Sequence, residues 1–531
     1  MTFSRRDFLK AIPLAGGAVI LDRRRLLGYP RTPDFYGLNG FIESHADAVF
    51  VLRTSVDAKT NAPAIKSVGQ QLGRTLFVPK SDPMGGYPIA TNVAIKPNLT
   101  SWSWDKAPIE QVMGIQTDAN FVEGIIGSLG ELSIDAEHIY IRDGNFSASQ
   151  SDGVLYKGLA QRTGVNLKDL SAGVGGISSS DIQWTAVSNG SWFNRIAHLW
   201  PVNSPASCLL NIAKFKSHSM GMTLCSKNLQ GTNAQPYIAH CTAWGKTMQG
   251  VNAQDVVPNA FATIKANYDR HNASGIPRWD LPGESSGGLW METHASRCLD
   301  NNSVLHPLLN IIEGVYGREG PFVSGPSPDG YGIDVMSNIV IFGKNALHVD
   351  IVGTYLAGHE PGNFGLFHMA LERGLSKYLN PTDIPLFEWK LDGSAAPAQL
   401  SAFTRTPIRT LYLRKAGEAQ YHMVDERYDY SGVTAVNSPK REMPDAFVIY
   451  QNFPNPFNPT TSIQYYLPRA GNVRLEVFNI QGELVDLLED GFLPAGDHVK
   501  VWKSDHRPSG TYFYRMSNEG FSTTKAMVVI K

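Results

Sequence analysis

A chain of 531 residues with 42% hydrophobic and 18% charged residues carries enough apolar material for a large core and for two or more domains. Its formal net charge is −1, and no run of like charge appears beyond the extreme N-terminus, which argues against nucleic acid as a partner. After that terminus no segment is long and apolar enough to read as a membrane-crossing helix, so the remainder is expected to be soluble.

Residues 4–10 read Ser-Arg-Arg-Asp-Phe-Leu-Lys and lead into an apolar stretch from Ala11 to Leu21, the pattern of a twin-arginine export signal within residues 1–30. Pro13, Gly16 and Gly17 keep the stretch only moderately hydrophobic, and it is shorter than the about 20 residues a spanning helix needs. The twin-arginine translocase carries folded cargo. The signal therefore implies that translocase as a partner and a domain completed, together with any cofactor, before export. Arg23, Arg24 and Arg25 stand where a small-residue cleavage site would follow.

Between residues 31 and 430 helical and strand patterns interleave. Residues 92–96 form a short apolar strand stopped by Pro97 and Asn98. Residues 117–132 follow as a helix, capped by Thr117 or Asp118, with Phe121, Val122, Ile125, Ile126 and Leu129 at helical spacing. The next strand, 138–142, ends at Asp143 and Gly144. Strand, helix, strand implies a right-handed crossover and a largely parallel sheet covered by helices. Further strands are expected at 207–213, 308–313 and 338–342, so the core reads as α/β. Residues 251–290, rich in Asn, Gly and Pro, read as a long surface excursion. Residues 390–445 read as a short terminal subregion running into a linker at 431–446.

In an open parallel sheet, ligands bind beyond the carboxyl ends of the strands, so polar residues that follow strands are the first candidates. Lys96 and Asn98 follow one strand, Asp143 the next, and Lys214, Lys216 and His218 a third. An extended backbone would place Lys214, Lys216 and His218 on one face. Lys227 and Asn228 add an ammonium and an amide, and Gly231 permits close backbone approach. Lysines that share a crevice are relieved by an anionic ligand, or by one of them acting neutral as a base or nucleophile, and the anion is the expected solution. An anionic substrate or cofactor is therefore expected at Lys96, Asn98, Lys214, Lys227 and Asn228, with Lys216 as a catalytic candidate. His218 is the candidate for proton transfer, with Asp143 orienting it or serving as a metal ligand. Glu313 and Asp350 could hold a divalent metal with Asp143, but pairing with the lysines is the preferred expectation.

Cys208, Cys225, Cys241 and Cys298 contain no CxxC pair, which argues against a structural zinc site and against an iron–sulfur cluster. In an exported protein one or two disulfides are the ordinary expectation. No nucleophile elbow, zinc-protease helix or phosphate loop is evident, so the reaction class stays open. Three readings stand: an exported enzyme acting on an anionic substrate, a non-catalytic anion-binding surface protein, and a metal or redox protein folded before export.

Two sets of motifs are more specific. The stretch Ala94-Ile-Lys-Pro-Asn-Leu99, the Gly114–Thr117 lead into a helix, Ile141-Arg-Asp-Gly144 and Asn211-Ile-Ala-Lys-Phe-Lys-Ser-His-Ser-Met-Gly-Met-Thr-Leu-Cys-Ser-Lys-Asn-Leu-Gln-Gly231 resemble the DUF362 family. Asn310-Ile-Ile-Glu-Gly-Val-Tyr-Gly-Arg-Glu-Gly-Pro321 and Ala346-Leu-His-Val-Asp350 extend the resemblance over roughly residues 90–375. Members of that family often carry a ferredoxin-like cluster module, and this sequence lacks the CxxCxxC run such a module needs. The tail, 447–531, alternates short strands at 462–467, 472–479, 498–502 and 511–516 with Gly- and Pro-rich turns, as a small antiparallel β-sandwich requires. Asn452-Phe-Pro-Asn-Pro-Phe-Asn-Pro-Thr-Thr461, Val473-Arg-Leu-Glu-Val-Phe-Asn-Ile-Gln-Gly482 and Pro508-Ser-Gly-Thr-Tyr-Phe-Tyr514 resemble the sorting domain of type IX secretion cargo. That immunoglobulin-like module is similar to one in flagellar hook-capping proteins. The resemblance implies the type IX machinery as a partner and transit through the periplasm to the cell surface or the medium.

Overall fold

The computed structural model describes residues 35–432 and 447–530, apart from 81–85, 101–109, 111–112, 148–153, 205–206, 239–249, 283–286, 321–332, 450, 453–454, 468–470, 494–495 and 519. The twin-arginine segment, most of the linker, and Cys241 lie outside the described residues. The chain divides into two units, Met1–Val433 and Thr434–Lys531.

The first unit is built on a ten-stranded mixed sheet. Its strands are β1 (Val49–Arg53), β2 (Asn92–Pro97), β3 (Ile139–Ile141), β4 (Asn166–Leu167), β5 (Ser207–His218), β6 (Gly221–Thr223), β7 (Leu309–Arg318), β8 (Asp334–Gly343), β9 (Leu386–Trp389) and β10 (Ala395–Pro397). They lie in the order β10-β9-β1-β8-β7-β5-β2-β3-β4, with β6 turned back on the end of β5. From β7 through β5, β2 and β3 to β4 all neighbours are parallel, whereas β8 runs antiparallel to both β7 and β1. The central strands are buried on both faces, which is why β5 and β7 read as near-continuous apolar runs interrupted by single polar residues.

Helices α1 (Ala62–Leu76) and α2 (Ala119–Glu131) cover one face. The α1 helix starts where the Asn61 side chain accepts from the Ala64 amide, and it buries Ile65, Val68, Leu72 and Leu76 at helical spacing. Its Gly69 faces α2 so closely that a Cβ there would collide with the Phe121 carbonyl. As the sequence predicts, Asp118 caps α2, accepting from the amides of Asn120 and Phe121. At the sheet edge α3 (Val154–Thr163) packs beside α2 on that same face, and the other face is covered by α4 (Cys225–Asn228), α6 (Gly288–Val304), α7 (Ala346–Leu356) and α8 (Gly365–Glu372), with α5 (Ala260–Ala273) against α6. Residues 251–290 are thus not one excursion: they contain α5 and the start of α6, whose apolar positions are few because much of what α6 buries is polar. Residues 400–424 bury Ile408, Tyr412, Leu413 and Val424 in the core of this unit.

In the second unit, β11 (Val448–Ile449), β12 (Thr460–Leu467) and β15 (Gly496–Lys503) form a three-stranded antiparallel sheet. A four-stranded antiparallel sheet comprises β13 (Gly471–Phe478), β14 (Leu484–Leu493), β16 (Gly510–Asn518) and β17 (Phe521–Val529). Ile463, Tyr465 and Trp502 from one sheet share a core with Leu475, Val477, Tyr514 and Met527 from the other.

Candidate functional site

Strands β2, β5 and β7 carry the candidate residues to their carboxyl ends, where register pairs Lys96 with Asn211 and Lys214 with Glu313. The side chains are deeply buried: Lys96, Lys214, Lys216 and Glu313 have no exposed surface at all. An amide relay runs across the strands beneath them. Asn228 Nδ2 donates to Asn211 Oδ1 at 2.8 Å, and Asn211 Nδ2 donates to Asn310 Oδ1 at 2.8 Å and to the Cys225 carbonyl at 3.0 Å, so the short α4 is fixed on the sheet.

Lys96, Asn98, Asp143 and Asn228 form one cluster. Lys96 Nζ donates to Asp143 Oδ2 at 2.6 Å and to Asn228 Oδ1 at 3.1 Å, and Asp143 also accepts from the amides of Leu99 and Asn145. Burial pushes the Lys96 ammonium down, Asp143 opposes this, and the nearby Lys227 adds to it. Gly231 allows the closeness that its position in the sequence suggests: a Cβ there would lie 2.5 Å from Lys96 Nζ.

Lys214 belongs to a second cluster. Its Nζ donates to Glu313 Oε2 at 2.6 Å and lies 3.4 Å from the centroid of the Tyr316 ring. Glu313 accepts from the amides of Asp118 and Val315, and Tyr316 donates to Asp118 Oδ2. Burial raises Glu313, against the pull of Lys214. The strand register shifts between Lys214 and Lys216, and Lys216 Nζ donates to the Ile115 carbonyl at 2.6 Å. Lys216 thus reaches Ile115 directly, and Lys214 is linked to Asp118 through Glu313 and Tyr316. His218 has other neighbours: its Nδ1 accepts from the Met220 amide, and its ring lies 6.2 Å from the nearly parallel ring of His294 on α6. The expected common face of Lys214, Lys216 and His218 is therefore divided, because the register shift and the β5–β6 reversal send the histidine toward α6.

Lys227 and Asp350 meet His294 and Thr354 around a cavity of about 20 Å³, with Met220, Met222, Trp279 and Tyr412 forming part of its apolar wall. That volume accommodates roughly one water-sized group. Asp350 accepts from the amides of Cys225 and Ser226 at 2.7 and 2.8 Å, and burial raises it to about 7 against those bonds. Burial, then Lys227 and Arg297, hold His294 well below the ordinary histidine range, so its ring is neutral. His294 Nε2 lies 3.5 Å from Cys298 Sγ, itself contacted by Gln230 Nε2 at 3.0 Å, while His294 Nδ1 is buried with no hydrogen-bond partner. A small anion would meet the ammonium of Lys227 there, and a proton could pass between it and His294 or Asp350.

Asp143, Glu313 and Asp350 do not converge, since each is held by its own partners, and among the described residues no group of three or more His, Cys, Asp or Glu side chains is placed to hold a metal. Cys208, Cys225 and Cys298 are buried thiols in no disulfide, so the disulfide expectation fails for these three: Cys208 lies against Tyr36, and Cys298 against Gln230 and His294. The sequence did not mark His294, Tyr316 or Asn211 as site residues, and it marked Asp118 only as a helix cap. Asn211 and Asn310 open two of the family-like blocks, but His294 stands in no motif.

Residues 93–355, which contain Lys96, Lys227, His294 and Asp350, match a family described as a domain of unknown function, DUF362. The core carries a DUF362 domain. Residues 451–531 match the secretion system C-terminal sorting domain, the tail of type IX cargo. It implies export to the cell surface or secretion, with the type IX machinery as partner. No curated protein matches the chain. Among the described residues no helix is long and apolar enough to cross a membrane.

Proposed function

We propose that the DUF362 domain of this exported protein is an enzyme that binds a small anionic group at Lys227 and moves a proton through His294 and Asp350. The observation that carries the reading is their meeting on one cavity beyond the carboxyl ends of parallel strands, where open α/β sheets bind ligands. The carboxyl group of Asp350, raised to about 7, is matched to proton transfer at neutral pH, and His294, with a vacant ring nitrogen beside the Lys227 ammonium, offers a neutral relay. Lys96, Asn98, Asp143 and Asn228 anchor the segment that bears Lys227, Lys214 offsets Glu313, Lys216 ties the strand end to Ile115, and His218 backs His294.

The test is mass spectrometry of small molecules released from gently purified full-length protein, followed by binding and turnover of whatever anion is found. Lys227→Gln is expected to weaken binding at least about tenfold, and His294→Gln to keep binding while losing turnover. A His294→Gln protein with undiminished turnover would refute the proton-transfer role. Binding that survives in Lys227→Gln would refute the anion site. Equal loss of binding in both variants with no turnover in the parent would favour a non-catalytic anion-binding protein.

For the two ends, we infer a twin-arginine start at residues 4–10 and an immunoglobulin-like sandwich in the tail, similar to the module of hook-capping proteins. The support is the Arg5-Arg6 motif before an apolar stretch, and two antiparallel sheets sharing one core. Replacing Arg5 and Arg6 by Lys is expected to hold the protein in the cytoplasm, and deleting 451–531 to hold it in the periplasm. Cell fractionation reads both, and normal surface delivery of either variant would overturn the corresponding assignment.

A further inference from the structure

Away from the buried cavity, the DUF362-bearing unit has a surface trough that the proposed reaction does not use. A cleft of about 630 Å³ is lined by Tyr355, Glu360, Thr382, Arg427, Tyr428 and Tyr430 among others. A second cleft of about 380 Å³ shares Tyr355, Pro381 and Thr382 with it, so the two run on as one trough. We propose that this trough binds a neutral, extended saccharide.

Three features select that ligand class. The first is charge. Glu360, Arg427 and Asp429 are the charged residues of the larger cleft, and the smaller cleft is lined by none, so the trough has a slight negative balance that disfavours phosphates and carboxylates. The second is the aromatic wall. Tyrosine offers an apolar ring and a polar tip, matching the alternating C–H and hydroxyl faces of a sugar. These rings are held in place before any ligand arrives: Tyr428 lies 4.9 Å edgewise from Tyr430 and 5.5 Å from His368. The Tyr430 hydroxyl accepts from the Gly362 amide at 3.0 Å and bonds Glu360, and Arg405 packs over the Tyr355 ring at 4.3 Å. Such stiffness lowers the ordering cost of binding. The third is shape, since two joined clefts suit several sugar units in a row better than one compact molecule. The sorting tail implies export to the cell surface or secretion, which leaves the trough open to polymers outside the cell.

Affinity electrophoresis of the full-length chain in native gels tests the proposal, with soluble β-1,3-glucan, xylan and mannan as neutral probes and polygalacturonate as the anionic one. Retardation by at least one neutral polymer and none by polygalacturonate is expected. Tyr428→Ala should weaken the retarding interaction about tenfold. Thr382 is exposed, so Thr382→Trp should block the trough without altering the thermal midpoint. Absence of retardation by every neutral polymer, stronger retardation by polygalacturonate, or retardation that persists in Thr382→Trp would overturn the assignment.

Discussion

Replacing Lys214 by Met tests whether the buried lysines serve first as counter-charges. Lys214 and Glu313 have no exposed side-chain surface and their charged atoms are 2.6 Å apart. Without the ammonium, Glu313 retains two backbone donors, from Asp118 and Val315, but no opposing charge, and Tyr316 loses the cation on its ring. Breaking one side of a buried pair costs about 3–5 kcal/mol. For a unit of roughly 400 residues, with an unfolding entropy of about 2.1 cal/mol/K per residue, that corresponds to a fall of about 4–6 °C in its thermal midpoint. Calorimetry of the full-length chain reads this in the transition of the larger unit. The penalty should also depend on pH. Burial already raises Glu313, and losing Lys214 raises it further. The folded variant then holds a proton that the unfolded chain releases near 4.5, so its deficit is small at acid pH and grows as pH rises through the folded value. Replacing Glu313 by Leu in the same chain removes the stranded carboxylate and should restore most of the midpoint, because apolar groups of similar size often substitute for a buried pair without loss. A shift below about 1 °C for the single variant at pH 7, or a double variant as unstable as the sum of its parts, would refute the reasoning.

Gly231→Ala should cost about 1–3 kcal/mol in chemical denaturation, because the new methyl would stand 2.5 Å from Lys96 Nζ in a packed interior; a midpoint unchanged from the parent would show that Lys96 can swing aside. His271 is bonded to Glu292 and Glu372, and although burial opposes its charge those carboxylates raise it to about 9. Its contribution is therefore whole below about 6.5 and lost as pH rises through 9, so the parent should lose thermal stability between pH 7 and 10 more steeply than His271→Gln. Identical slopes would sink that argument. Asp350, raised to about 7 by burial, stabilises the fold while protonated and ceases to as pH rises from about 4 to 7. Asp350→Asn should flatten the stability profile over that interval, and a profile as steep as the parent's would count against a buried carboxyl there.

The sequence carried the parallel half of the sheet well. β2 and β3 are short apolar runs ended by turn residues, and Asp118 announces α2 by capping chemistry that depends on neighbours in the chain, whereas β5 runs on past Ala213 to His218 and the two-residue β4 carries no pattern of its own. That carboxylates near strand ends would offset the lysines was legible from charge balance, and Lys214 with Glu313 is such a pair, whereas Asp143, expected beside His218, is bonded to Lys96 instead. What escaped notice depends on contacts distant in sequence. The α6 helix buries Glu292, His294, Arg297 and Asp300, so it lacks the apolar stripe that would mark it as a core helix. His294 acquires its role only because α6 lies over the β5–β6 reversal, and the register shift after Lys214 left no trace in the residue pattern.

The placement of these charges bears on function more than on stability. A buried ion pair seldom stabilises a fold relative to well-packed apolar residues of similar size, because desolvation offsets most of the attraction. Here two such pairs, an amide relay through Asn228, Asn211 and Asn310, and the Asp350 cap of α4 lie around the carboxyl ends of β2, β5 and β7. Scattered polar burial would call for no common cause. Concentrated burial at the end of the sheet that binds ligands in open α/β folds does, and these networks share one product: α4 is held from both sides with Lys227 on the wall of the cavity beside His294. The expensive interior is thus the support of a positioned ammonium, which is why Lys227→Gln and His294→Gln are the substitutions on which the proposed function stands or falls.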